Sequence, residues 1–323
     1  MKPLFLGARF FLAILAVTGI ANLLLQVPAN TQSASYRLVE NWPRLPANIT
    51  LGGVVGADPD ARGNIWAFHR GEPPILKLDA GGNLLESFGE GMFVQAHGLF
   101  LDRGGNIWVT DAQGKGEKGH QVFKFSPTGK ILMTLGKAGV AGEGPDTFNA
   151  PTDVVVAPAG EVFVADGHGN SRVVKFSKDG QFLKAWGTKG AGPGQFNTPH
   201  TIALDSKGRV FVGDRGNNRI QIFDQDGKFL DQWAQFGRPG GMFISADDTL
   251  YVADSDSSPA RNPGFKKGIR IGSARDGSVA AFIEDRDSAS PDSSGAEGVS
   301  ADARGSVYAA VNIGKRLEKY EKK

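Results

Sequence analysis

Apolar residues along the chain fall into short runs, β-branched or aromatic, separated by polar turns that contain glycine. Six segments share one shape: DARGNIWAFHRG, DRGGNIWVTDAQG, APAGEVFVADGHG, DSKGRVFVGDRGN, SADDTLYVADSDS and DARGSVYAAVNIG. Each is a tight turn followed by a strand of alternating or continuous apolar residues, the pattern of a half-buried or fully buried β-strand. Gly63, Gly105, Gly160, Gly208, Asp248 and Gly305 mark the common register and stand 42, 55, 48, 40 and 57 residues apart. A repeat of that period is the mark of a four-stranded propeller blade. An apolar strand such as GLFLD or TIALD precedes each mark. A third strand (VFKFS, VVKFS, IQIF) and, after a short turn, a fourth (KILMTLG, QFLKAWG, KFLDQW) follow it. The pattern predicts an all-β, six-bladed β-propeller over residues 36–323. The sixth copy stops after its third strand, and Tyr36 to Trp42 is expected to supply the missing outer one and close the ring. Long intervals place insertions at Gln113–His120, Gly136–Asp146, Ser255–Gly268 and Arg286–Gly295.

The first 35 residues break the repeat. Lys2 and Arg9 precede an uncharged run from Phe10 to Leu25, with small residues from Ala29 to Ser35. This is the layout of a secretory signal, too short for a usual membrane span. An exported protein, periplasmic or extracellular, is expected, with an uncleaved N-terminal segment as its one route to a membrane. Composition then narrows the chemistry. The chain has no cysteine, which excludes disulfides, thiol nucleophiles and cysteine-held zinc or iron–sulfur groups. The net charge of +2 comes from Lys2 and Arg9 alone, so the ring is neutral and nucleic acid is not an expected partner.

Polar residues recurring at one register are architecture; isolated ones need another explanation. Asp111, Asp166, Asp214 and Asp254 all lie six after their marks and read as strand-end hydrogen-bonding groups, with Arg172 and Arg219 tying blade edges. Eight before the marks stand Val55, His97, Thr152, His200, Gly240 and Glu297. This position opens the innermost strand, and its metal-type side chains fall in alternate blades, about 120° apart. His97, His200 and Glu297 are therefore expected to converge on the axis as a zinc shell with room for water. Arg70 and Arg215, at plus seven, and His168, at plus eight, are expected to rim the adjoining pocket. Two guanidinium groups there suit a carboxylate. The alternative for these side chains is backbone hydrogen bonding and ordinary loop surface, on a propeller that binds a protein, peptide or glycan without catalysis.

Residues 148–187 and 196–233 resemble NHL-repeat propellers, with VADGHGNSRVVKFS and DRGNNRIQIF carrying the strand-end and third-strand motifs. GNIWAFHRGE, FVQAHGLFLDRGGNIWVTD and GPGQFNTPHTIAL extend the resemblance to the peptidyl-α-hydroxyglycine α-amidating lyases. That resemblance implies an axial zinc held by three histidines, with His97 and His200 at two of the positions and Glu297 at the third. It implies pocket arginines at Arg70 and Arg215, and His168 where the family has its catalytic tyrosine. The implied reaction cleaves a peptide's C-terminal α-hydroxyglycine to a peptide amide and glyoxylate. A small peptide-like or carboxylate-bearing substrate is expected, and a monomer. Calcium is the weaker expectation, because the family's calcium-associated aspartate is Gly298 here. A gluconolactonase-type propeller would need acidic and asparagine ligands, which the minus-eight set does not supply.

Overall fold

The computed structural model describes Met1, residues 35–290 and residues 294–323. Within them lie six four-stranded antiparallel sheets, one per repeat, with a single helical turn at Arg215–Asn217. Blade two shows the order: Ala96–Leu101, Ile107–Asp111, Gln121–Phe125 and Ile131–Leu135 run from the axis outward. The marker residues earn their conservation of shape in the turn between first and second strands. Gly63, Gly105 and Gly208 take φ of 81°, 78° and 76°, where a side chain would be strained. Blade five uses Asp248 at φ 64°, a residue type that tolerates the left-handed region.

Each first strand lies beside the first strands of both neighbours, and Ala296–Ala301 of blade six meets Val54–Pro59 of blade one, so the ring closes. The core is divided accordingly. Six buried clusters sit one between each neighbouring pair of blades. Trp66 and Trp108 on the second strands, like Phe163 and Phe211, are almost wholly removed from water. Full burial of side chains of this kind stabilises by ~1.5–3 kcal/mol each. In blade six, Tyr36–Leu38 pairs antiparallel with Arg316–Lys322, Tyr36 opposite Lys322 and Leu38 opposite Tyr320. Pairing ends there, short of Trp42, which turns inward onto Tyr308 with ring centroids 5.5 Å apart.

The aspartates at plus six behave as strand-end ties. Asp111 accepts from the backbone of Val94 and Gln95, and Asp166 accepts from Asn149 N, Asn170 and Arg172. Asp214 and Arg219 repeat the pairing at 2.8 Å. Blade one has His69 at this register, and its Nδ1 takes over by accepting from Gly52 N at 3.0 Å.

One irregularity recurs in all six blades. The ladder between first and second strands skips a residue at Val55, Thr152, His200, Gly240 and Glu297, and skips His97 with Gly98 in blade two. A bulge leaves its extra residue unpaired and re-aims its side chain. Here the bulged register is minus eight, so the fold releases those side chains, and their carbonyls, toward the axis. Three of the long insertions, Gln113–His120, Gly136–Asp146 and Ser255–Gly268, connect second to third strands or fourth to next first strands, which puts them on this same face. Among the described residues no helix is long and apolar enough to cross a membrane. The signal segment expected over residues 1–35 falls almost wholly on residues 2–34, outside the described ones.

Candidate functional site

At the end of the axis where the bulges open, the structure brings four minus-eight and loop side chains into contact. His97 and His200 rings lie 4.7 Å apart between centroids, and His168 lies 4.9 and 5.0 Å from them. One nitrogen from each of the three lies within 4.8 Å of the others. His97 Nε2 faces His168 Nε2 at 2.9 Å. Glu297 joins from the opposite side, its Oε1 3.2 Å from His200 Nε2 and 3.6 Å from an Arg215 guanidinium nitrogen. His97, His200 and Glu297 are buried, whereas His168 stands at the open mouth.

The proton positions follow from the acceptors. His97 Nδ1 donates to the carbonyl of Thr152, and His200 Nδ1 to that of Gly240, each at 2.7 Å. Carbonyls only accept, so both rings carry their proton on Nδ1. Each acceptor is the bulge carbonyl of the next blade round the ring. Burial, with the neighbouring histidines, holds His97 well below its ordinary value; burial and Arg215 lower His200. His168 is lowered to about 3 by loss of solvent at its inward side and by His200 and Arg215. Burial alone would raise Glu297, but His200, Arg215 and His97 outweigh it and hold the carboxyl well below the usual range. At neutral pH the site is therefore three neutral imidazoles and a carboxylate.

That set has a physical deficit. His200 Nε2 is buried with no hydrogen-bond partner, its lone pair set against a carboxylate oxygen. A cation removes the deficit, and orienting each ligand histidine through its other nitrogen is what metal sites require. Ligand atoms of a tetrahedral zinc stand roughly 3.3 Å apart, given bonds of about 2.0–2.1 Å. The His97–His168 separation of 2.9 Å is close to this, and the three histidine nitrogens, all within 4.8 Å of one another, must draw together to hold one ion. The residues can hold a metal ion.

Both arginines border this cluster. Arg215 follows the second strand of blade four; its Nε is buried without a partner, and its carbonyl is held by Arg238 at 2.9 Å. Arg70 Nε donates to Ala96 O at 3.0 Å, and its terminal nitrogen reaches Asn312 Oδ1 at 3.3 Å. Asn312 was not singled out from the sequence. It stands at plus seven in blade six, the register of Arg70 and Arg215, so a search of that register for any polar residue finds it. The glycine expected to weaken a calcium site is tightly built in. A Cβ on Gly298 would stand 2.5 Å from Val55 O, so no side chain fits there without a shift of backbone. The residues present do not fit an aspartate-held calcium at that position.

The NHL repeat model matches residues 148–176 and 196–223. The chain is 38% identical over 174 residues to the mouse peptidyl-glycine alpha-amidating monooxygenase, covering 45% of this chain and 17% of that protein. It is 35% identical over 173 residues to peptidyl-alpha-hydroxyglycine alpha-amidating lyase 2 of Drosophila melanogaster, covering 46% and 41%. The chain is a six-bladed propeller that carries NHL repeats at residues 148–176 and 196–223 and resembles the amidating lyases. It spans less than half the length of these amidating relatives. Among solved structures, a gluconolactonase from Xanthomonas campestris superposes with a TM-score of 0.61 over 92% of this chain and 97% of its own, at 13% identity. Virginiamycin B lyase from Staphylococcus aureus superposes with a TM-score of 0.59 over 88% and 98%, at 15% identity. At those identities the likeness is one of fold.

Proposed function

We propose that this chain is an exported, zinc-dependent lyase that cleaves the carbon–nitrogen bond of a peptide-like C-terminal α-hydroxyglycine, releasing an amide and glyoxylate. One observation carries the reading: three imidazoles gather ligand nitrogens within 4.8 Å of one another beside an ionised carboxylate, two of them, His97 and His200, with the proton fixed on Nδ1. In this reading His97, His168 and His200 hold the ion. When bound, zinc supplies a Lewis acid that polarises the substrate hydroxyl. Arg70 and Arg215 bind the substrate carboxylate. Glu297 takes the hydroxyl proton; the O–H electrons form the new carbonyl, the carbon–nitrogen bond breaks, and Glu297 returns the same proton to the departing nitrogen, giving the amide.

The sequence alone set Glu297 as third ligand and His168 as base. The exchange rests on the gathering of three histidine nitrogens within 4.8 Å of one another, which leaves Glu297, 3.6 Å from Arg215, beside the pocket arginine. A catalytic zinc keeps three protein ligands and an open position, which three histidines provide. The test is glyoxylate release from a peptide ending in α-hydroxyglycine, with the zinc-loaded chain. Release that falls at least ~100-fold in His97→Ala is expected. No release above the uncatalysed rate would contradict the lyase assignment and leave a propeller that binds a protein, peptide or glycan.

A further inference from the structure

Blade three contributes no metal-type side chain at minus eight, yet it touches both axial histidines. One level below the bulge, at minus seven, stand Gly56, Gly98, Asp153, Thr201, Gly241 and Gly298. The glycines leave no space: a Cβ would stand 2.6 Å from Leu99 Cβ at Gly56, 2.7 Å from Thr152 O at Gly98 and 2.5 Å from Glu297 O at Gly241. Inner strands therefore meet backbone to backbone around the ring, except where Asp153 and Thr201 place the two side chains of this level.

Those side chains form a clasp. Thr201 Oγ1 donates to Asp153 Oδ2 at 2.8 Å, and the same oxygen accepts from Ile202 N at 3.0 Å. Met242 N donates to Thr201 Oγ1 at 3.0 Å, which carries the link into blade five. One residue up, Thr152 Oγ1 donates to Pro199 O at 2.9 Å. Both chain neighbours of His200 are thus held by blade three. The carbonyl that orients His97 belongs to Thr152 as well, and Thr110 Oγ1 fixes it further at 3.1 Å.

We propose that Thr152 and Asp153, acting with Thr201, are positioning residues that fix the aim of His97 and His200 without touching ion or substrate. The proposal rests on the reading of those histidines as ligands, so its test keeps ring orientation and metal binding apart. The Nδ1 protons of His97 and His200 are followed by NMR in the whole, metal-free chain, and zinc affinity is titrated separately. Thr201→Val and Thr152→Val remove a hydroxyl and keep the shape. Each is expected to speed exchange of the histidine Nδ1 protons at least tenfold and to weaken zinc by ~10–100-fold, the usual effect of removing support behind a metal ligand. Thr201→Ser restores both, and the far-ultraviolet circular dichroism is unchanged throughout. Unchanged proton exchange in both valine variants overturns the proposal. Should the valine variants fail to fold, Asp153→Asn gives the same readout, with faster exchange supporting the proposal and unchanged exchange refuting it. A wild-type chain that binds no zinc counts against the lyase reading, while the exchange rates still decide the positioning role.

Discussion

His168 and Glu297 are the residues on which the chemistry turns, because each can be assigned to ligand or base. If the three imidazoles hold the ion, His168→Ala loses zinc while Glu297→Gln keeps it and loses turnover by ~10²–10⁴-fold, measured as metal content and glyoxylate release on the same samples. Zinc lost from Glu297→Gln but retained by His168→Ala would restore the assignment read from sequence. The sequence exposed His97, His200 and Glu297 because alternation at one register is visible in a repeat. It could not show that His168, on a loop past the second strand, swings back to within 2.9 Å of His97. Loop direction has no periodicity to read. A different titration is expected away from the site. Burial raises the Asp58 carboxyl to about 7, against which its hydrogen bond from Leu101 N is the smaller effect. An unfolded aspartate titrates near 3.9. Between about pH 4 and 7 the folded chain keeps on Asp58 a proton the unfolded chain has lost, so this group's contribution to stability is fully present below that window and is lost as pH rises through it. Asp58→Asn removes Asp58's share of this slope, which thermal unfolding at pH 5 and pH 8 will detect as a smaller difference than in wild type.

At the scale of a strand, the recurring bulge explains why minus eight is a site. An unbulged first strand would pair those residues in the ladder; the bulge frees a side chain and a carbonyl together, and the carbonyl of one blade aims the histidine of the one before. The strands were legible because β-branched and aromatic runs alternate with positive-φ turns. Bulges were not, since they leave no mark in composition beyond the glycines at minus seven, whose role is close approach. Gly298→Asp tests that role. Its Cβ would meet Val55 O at 2.5 Å, so an aspartate here is expected to destabilise by ~1–3 kcal/mol rather than create a calcium site. A melting temperature unchanged in the absence of calcium and raised by adding it would contradict this.

Across the whole molecule, the site depends on a closed ring, since histidines from blades two, three and four meet a carboxylate from blade six. Closure was readable from the missing fourth strand of the last repeat, although the pairing segment proved to be Tyr36–Leu38 and not the full run to Trp42. Deleting residues 35–38 exposes the edge of Arg316–Lys322 and removes buried Tyr36. The expected result is a lower melting temperature and concentration-dependent association, seen by light scattering. The most direct test of the axial site is the zinc content of the purified chain after stripping and reloading. One zinc per chain, lost in His97→Ala with the fold intact, is the result expected here; a chain that takes up no zinc, or a His97→Ala variant that retains it, would contradict the account.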